Sequence, residues 1–147
     1  MATETFETTV LIANTPKAVI EYVADPRNRP LFFPSLKSIT DIKGDPSAPG
    51  TTWKWTFATL GMEFQGTGRG LKHDPGKLYS FRTDGGIGST FTYKAEPEGQ
   101  GTRLTIHVEY SVPDSARPRL PAPAVGQAMM NAEAERVAQN LKNILDQ

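Results

Sequence analysis

The chain has 147 residues, with sixteen basic side chains balanced by sixteen acidic ones and no cysteine. That length suits one domain, residues 1–147, with a substantial core. The charge balance, with no run of like charge, argues against nucleic acid or an anionic membrane as partner, and the missing cysteine removes disulfides, thiolate metal sites and cysteine nucleophiles.

The opening residues Met1-Ala2-Thr3-Glu4-Thr5 lack a basic region followed by an apolar one, so no signal peptide is expected. No apolar stretch approaches the roughly 20 residues that span a bilayer, and a cytoplasmic protein without a transmembrane segment is expected. Phe6 to Ala13 reads as a strand running into a helix, Pro16 to Ala24. Thr15 can cap that helix, and proline at its first position loses no hydrogen bond. Val19, Ile20 and Val23 make its apolar face. Asp25-Pro26-Arg27-Asn28-Arg29-Pro30 ends it, because proline cannot continue a helix and restricts the residue before it. Leu31-Phe32-Phe33-Pro34 reads as a short helical turn, its bulky residues either on a cavity wall or filling the core.

From Ser38 the period changes to two. Ile39 and Ile42 belong to a strand ending at the loop Asp45 to Gly50. Thr52 to Ala58 alternates, with Trp53, Trp55 and Phe57 on one face, each able to bury about 150–250 Å². Gly61 turns the chain into Met62 to Leu71, and His73-Asp74-Pro75-Gly76-Lys77 turns it again. Leu78 to Thr83 and Ser89 to Ala95 are strands around the glycine-rich turn Asp84 to Gly88. Glu96 to Gly101 is a further turn. Thr102 to Val112 then places Leu104, Ile106, Val108 and Tyr110 inward and Arg103, Thr105, His107 and Glu109 outward. Pro113 to Pro123 is a proline-rich crossover. The last element is a long amphipathic helix, Val125 to Leu145, with Met130, Ala134, Val137, Leu141 and Ile144 as its apolar stripe, Met129 and Leu145 flanking it, and Glu133, Glu135, Arg136 and Lys142 on the polar side. An antiparallel sheet of this size must curl around something to bury one face, and this helix is the long element available.

In this order the elements resemble the SRPBCC superfamily of helix-grip proteins. It includes START lipid-transfer domains, birch-pollen-allergen relatives and, closest here, the bacterial polyketide cyclase/dehydrase family. The carriers are Ile12-Ala13-Asn14-Thr15-Pro16-Lys17-Ala18-Val19, Ala24-Asp25-Pro26-Arg27-Asn28 and Pro49-Gly50-Thr51-Thr52-Trp53-Lys54-Trp55, followed by His73-Asp74-Pro75-Gly76-Lys77-Leu78 and Gly101-Thr102-Arg103-Leu104-Thr105. Glu133-Ala134-Glu135-Arg136-Val137, with Asn140 and Leu141, matches the closing helix. The resemblance implies an α+β fold: a seven-stranded antiparallel sheet curled around the C-terminal helix, two short helices closing one end, and an apolar pocket between. It also implies a hydrophobic or amphipathic ligand (lipid, polyketide or aromatic) and no cofactor. In the cyclase relatives, polar cavity residues position a polyketone and assist proton transfer.

Other chemistries find little support. Ser35, Ser38, Ser80, Ser89 and Ser111 lie in no nucleophile-elbow context, and His73, in a turn, and His107, on an outer face, make no metal site. The glycines of Gly66 to Gly70 and Gly85 to Gly88 lack the lysine and helix of a phosphate loop, and read as bends, bulges or a mobile gate. Expected ligand contacts are Phe32, Phe33, Trp53, Trp55, Phe57, Phe64, Phe91, Tyr93, Ile106, Val108, Tyr110 and Met129. Tyr93 and Tyr110 share faces with apolar neighbours, so each phenol needs a partner. Two registers stay open. Either Met62 and Phe64 face inward, with glycines beyond leaving room for a ligand, or Glu63, Gln65, Thr67 and Arg69 do; the cost of an unpaired buried charge favours the first. In the next strand the choice is Tyr79 and Phe81 against Leu78, Ser80 and Arg82. Glu63, Arg69 and Arg82 are therefore the candidates for catalysis, and Arg69 or Arg82 for a polar anchor. A ligand-binding protein, monomer or homodimer, is expected, with a cyclase, aromatase or dehydratase and an accessory protein acting through protein contacts as alternatives.

Overall fold

The structure, a computed structural model, describes residues 3–59, 61–85, 88–111 and 123–146, without the side chains of 3, 4, 59, 62, 111 and 123–130. Strand β1 (Thr3–Ile12) is followed by helix α1 (Pro16–Ala24), a single turn of 3-10 helix (Pro26–Asn28) and the short helix α2 (Arg29–Phe32). Six strands follow: β2 (Leu36–Lys43), β3 (Thr52–Thr59), β4 (Met62–Asp74), β5 (Leu78–Gly85), β6 (Gly88–Glu98) and β7 (Gly101–Ser111). Helix α3 (Pro123–Leu145) ends the chain. The strands form one antiparallel sheet in the order β1-β7-β6-β5-β4-β3-β2, so every neighbour but the β1–β7 pair is joined by a hairpin.

Local chemistry explains the helical end. Thr15 Oγ1 accepts from the Ala18 amide at 3.2 Å, and Pro16 opens α1 without losing a bond. Val19, Ile20 and Val23 are fully buried. Asp25 then caps the 3-10 turn, accepting from the Arg27 amide at 3.0 Å.

The C-terminal helix is held by hydrogen bonds as well as by its apolar face. Asp146 Oδ1 accepts from the Ala13 amide at 2.8 Å, Asn14 donates to the Leu145 carbonyl at 2.9 Å, and Lys142 donates to the Leu11 carbonyl at 2.9 Å. These bonds join the end of α3 to the β1–α1 junction. Further up the helix, Asn140 donates to the Phe32 carbonyl at 3.1 Å, and Glu133 accepts from the Ser35 amide at 2.9 Å and its hydroxyl at 3.0 Å. The buried stripe is Val137, Ala138, Leu141 and Leu145. Ile144, expected in the stripe, is exposed. Glu133 and Lys142, expected on a solvated face, are half-buried and reach back to the turn before β2 and to β1.

Both open registers resolve toward apolar burial. In β4, Glu63, Gln65, Thr67 and Arg69 point outward, while Gly68 and Gly70 are buried and Phe64 and Gly66 half-buried. In β5, Tyr79 and Phe81 are buried and Arg82 is exposed. The glycines of β4, however, leave no room for a ligand. A methyl group on Gly68 would lie 2.2 Å from the Trp53 indole nitrogen, and one on Gly66 would lie 2.6 Å from the Trp55 ring. The tryptophans of β3 lie directly over the backbone of β4, which explains two glycines in an extended strand that needs no special dihedral angle.

The strand does not turn at His73 as expected. A shift in pairing between Gly70 and Lys72 reverses its phase, so that His73 faces inward opposite Tyr79, their rings edge to face at 5.8 Å. The inward face of β7 is as expected, with Leu104, Ile106, Val108 and Tyr110 all buried. The crossover expected over Pro113 to Pro123 lies, but for its last residue, outside the described residues.

A Gly68→Ala substitution should therefore act through collision with the indole. We expect a loss of about 1–3 kcal/mol in urea-unfolding stability, as for other overpacked cores; a loss below about 0.5 kcal/mol would show that Trp53 can move aside.

Candidate ligand-binding site

Aromatic residues from β3, β5, β6 and α2 converge on the concave face of the sheet. Phe81 and Phe91 are cross-strand partners stacked at 4.9 Å with planes 6° apart. Phe33 meets Phe91 edge-on at 5.4 Å, and Trp53 meets Phe81 edge-on at 5.7 Å. Between them lies a cavity of about 80 Å³, its wall almost entirely apolar. Trp53, Trp55, Phe57, Phe81 and Phe91 form much of that wall, with Leu36 and Ile39 from β2 and Val108 and Tyr110 from β7. Thr83 and Ser89, hydrogen-bonded to each other across the β5–β6 hairpin, complete it. A second space of about 50 Å³ adjoins it, sharing Phe33, Phe57, Phe91, Val108 and Tyr110 and extending toward Glu133, Ala134 and Val137 of α3.

One charged side chain lies in the wall. Arg29 is only 2% exposed. Its guanidinium carbon sits 3.9 Å from the centre of the Phe81 ring, 4.5 Å from that of Trp53 and 5.6 Å from that of Tyr79. Nη2 donates to the Tyr79 hydroxyl at 3.0 Å. Nε and Nη1 are buried and have no hydrogen-bond partner among the described residues. The aromatic contacts offset part of the cost of burial, since a desolvated cation over a ring gains about 2 kcal/mol. Asp25, the neighbouring acid, is engaged elsewhere: Arg27 grips it with three bonds of 2.6–3.1 Å. Those bonds hold the Asp25 carboxyl below the usual range, and the Arg29 charge contributes least among the causes.

Tyr93 belongs to the same polar group. It pairs across the hairpin with Tyr79, is fully buried, and its hydroxyl has no partner among the described residues. Burial pushes its phenol well above the ordinary range, while the nearby Arg29 charge opposes that rise.

Residues 3–146 match the model of the family described as polyketide cyclase / dehydrase and lipid transport. The chain belongs to this polyketide cyclase/dehydrase family. A search of curated proteins finds no match. Solved structures share the fold at low identity. The protein TTHA0849 of Thermus thermophilus aligns with a TM-score of 0.78 at 16% identity over 95% of both chains. The Zhui aromatase/cyclase of Streptomyces sp. R1128 aligns at 0.71 and 19%, over 98% of this chain and 92% of that one. The ginseng major latex-like protein 151 of Panax ginseng aligns at 0.72 and 12%, over 97% of both. Identities this low establish the helix-grip fold and leave the ligand to the site itself.

The residues expected at the site divide clearly. Phe33, Trp53, Trp55, Phe57, Phe91, Val108 and Tyr110 line the main cavity, and Ile106 lines the smaller one. Phe32 is buried beside Tyr22 and Phe33, Tyr93 is buried opposite Tyr79, and Phe64 sits half-buried opposite Phe57; none of the three lines either cavity. The side chain of Met129 lies outside the described residues. The three polar candidates are overturned by the register. Glu63 is exposed and pairs with Lys37 at 3.5 Å, Arg82 is exposed and pairs with Asp84 at 3.2 Å, and Arg69 lies on the outer face between Thr52 and Arg82. The charge in the wall is Arg29, which the sequence pattern places only in the stretch that ends α1. A usable signal was present: Arg29 stands three and four residues before Phe32 and Phe33, the spacing that shares a helical face.

The two tyrosines should respond oppositely to losing a hydroxyl. Tyr79→Phe leaves the guanidinium without its bond and should cost about 1–3 kcal/mol. Tyr93→Phe removes a buried group with no partner and should be neutral or stabilising, by chemical denaturation of the ligand-free protein. The raised Tyr93 pKa also carries a sign: its contribution to stability is intact below the unfolded phenol value of about 10 and is lost as pH rises above it. Tyr93→Phe should flatten the alkaline fall in stability. An unchanged slope would assign that fall to other groups.

Proposed function

We propose that this protein binds a small apolar or amphipathic molecule, flat enough to lie among aromatic rings, in the cavity between the sheet and α3. The observation that carries this reading is the cavity wall: stacked and edge-on rings enclose space where a protein of this size would otherwise pack its core. The two adjoining spaces together offer room on the order of ten waters, so a ligand of one or two rings fits without rearrangement. A larger lipid or polycyclic polyketide would need the wall to move.

The accessory-protein reading calls for a filled core and a broad exposed apolar patch. Among the described residues the large exposed apolar side chains, Leu11, Leu31, Leu71 and Ile144, come from four different elements, and the core holds two cavities. A cyclase- or dehydratase-type reaction in the same cavity is the second reading, supported by the Arg29–Tyr79–Tyr93 group, whose donors could stabilise an enolate.

Binding is tested by filling the cavity. A panel of one- and two-ring aromatic compounds should raise the melting temperature of the wild type. Val108→Phe, which adds volume where both spaces meet, should remove that response while leaving a cooperative melt. A panel without effect on the wild type would overturn the reading; a full response from the filled variant would place the ligand elsewhere.

A further inference from the structure

Arg29 is the charged side chain of the cavity wall, and two of its nitrogens, Nε and Nη1, are donors with no hydrogen-bond partner among the described residues. The one acceptor they share ground with, the Tyr79 hydroxyl, is already used by Nη2 at 3.0 Å. Arg29 makes no ion pair among the described residues, and the carboxylate whose charge it feels, Asp25, is held by Arg27. A guanidinium keeps its charge in proteins, so neutralisation cannot relieve this arrangement. What would complete it is an acceptor carrying negative charge, with two oxygens to meet the planar fork. The surrounding wall is aromatic, and Arg29 itself packs over the rings of both Trp53 and Phe81, which meet edge-on beside it.

We infer that the ligand is an aromatic or conjugated carboxylate, its carboxylate held by Arg29 and its ring among Phe81, Phe91 and Trp55. The inference rests on the ligand-binding reading above and specifies its chemical class. Arg29 acts as the anion receptor. Tyr79 is a positioning residue that takes one Nη2 proton and leaves the second, with the nitrogen beside it, for a two-oxygen acceptor. The backbone supports this arrangement: α2 is anchored by the Asn140 bond to the Phe32 carbonyl at 3.1 Å, so the receptor sits on an element tied to α3.

The probes are trans-cinnamate and cinnamamide, which share ring, length and planarity and differ in charge. Calorimetric titration of the wild type should show the acid binding at least about tenfold more tightly than the amide, the increment expected of charge-assisted hydrogen bonds. In Arg29→Met the preference should vanish. Arg29→Lys should keep part of it. The matched pair on the wild type decides the matter even if a variant fails to fold. Equal binding of acid and amide, or tighter binding of the amide, overturns the anion receptor and leaves the cavity reading standing. Binding of neither overturns both. A tenfold preference that survives in a folded Arg29→Met would assign the charge recognition to another group and overturn the role of Arg29.

Discussion

The contact on which the site depends is the Trp53 indole lying across Gly68. Because β4 carries no side chain there, the ring can drop onto the neighbouring backbone with its nitrogen only 2.2 Å from where a methyl would stand. Trp55 does the same over Gly66 and donates its ring N–H to the Thr67 carbonyl at 2.9 Å. Two large rings are thereby fixed against the sheet instead of projecting into the interior. The space they vacate is shared between the cavity and the guanidinium of Arg29. Had β4 carried alanines, the rings would have to stand upright and fill it.

The second constraint is the burial of Arg29. Moving an unpaired charge out of water costs several kcal/mol even after relaxation. Three ring contacts and one hydrogen bond to a neutral phenol recover part of this. The remainder must be supplied by packing elsewhere: the fully buried face of α1, the inward side of β7 and the hydrogen bonds that tie α3 to the β1–α1 junction. Strained or unsatisfied groups persist where the surrounding structure over-determines them, and they concentrate at sites with a task. The same desolvation that makes Arg29 costly would make its attraction for an anion strong, since Nε and Nη1 are buried.

Much of this was legible in the sequence. Alternation on β3 and β7 identified the inner faces, Thr15-Pro16 marked the start of α1, and the order of elements pointed to a sheet gripping a helix. The weighing of buried charge chose the right phase for β4 and β5. What sequence could not supply was which residue breaks the pattern. The glycines looked like space for a ligand because nothing in β4 itself says that the tryptophans of β3 will occupy that space. His73 looked solvated because a shift in pairing at Gly70 inverts the phase without any residue that advertises it. Arg29 lies in a proline-bounded stretch that the sequence marks only as the end of a helix, and its burial depends on Trp53 and Phe81, far away in the chain. Glu133 looked like a solvated helix residue because its partner, Ser35, belongs to another element. In each case the missing information was a contact between elements, which periodicity within one element does not contain.

The donor character of the polar group separates holding a molecule from acting on one. Proton abstraction needs an acceptor placed against the substrate, and Arg29 has none to offer. Tyr93 would have to ionise first, which its burial opposes. The carboxylate bordering the smaller space, Glu133, directs its two oxygens to the amide and hydroxyl of Ser35 and serves to hold α3 against the start of β2. Stabilising negative charge on an oxygen is what donors of this kind can do. A charge already on the ligand would make the site a receptor; a charge that develops during enolisation would make it an oxyanion hole. None of Arg29, Tyr93 and Glu133 is placed to take a proton, and their donor character supports the binding reading.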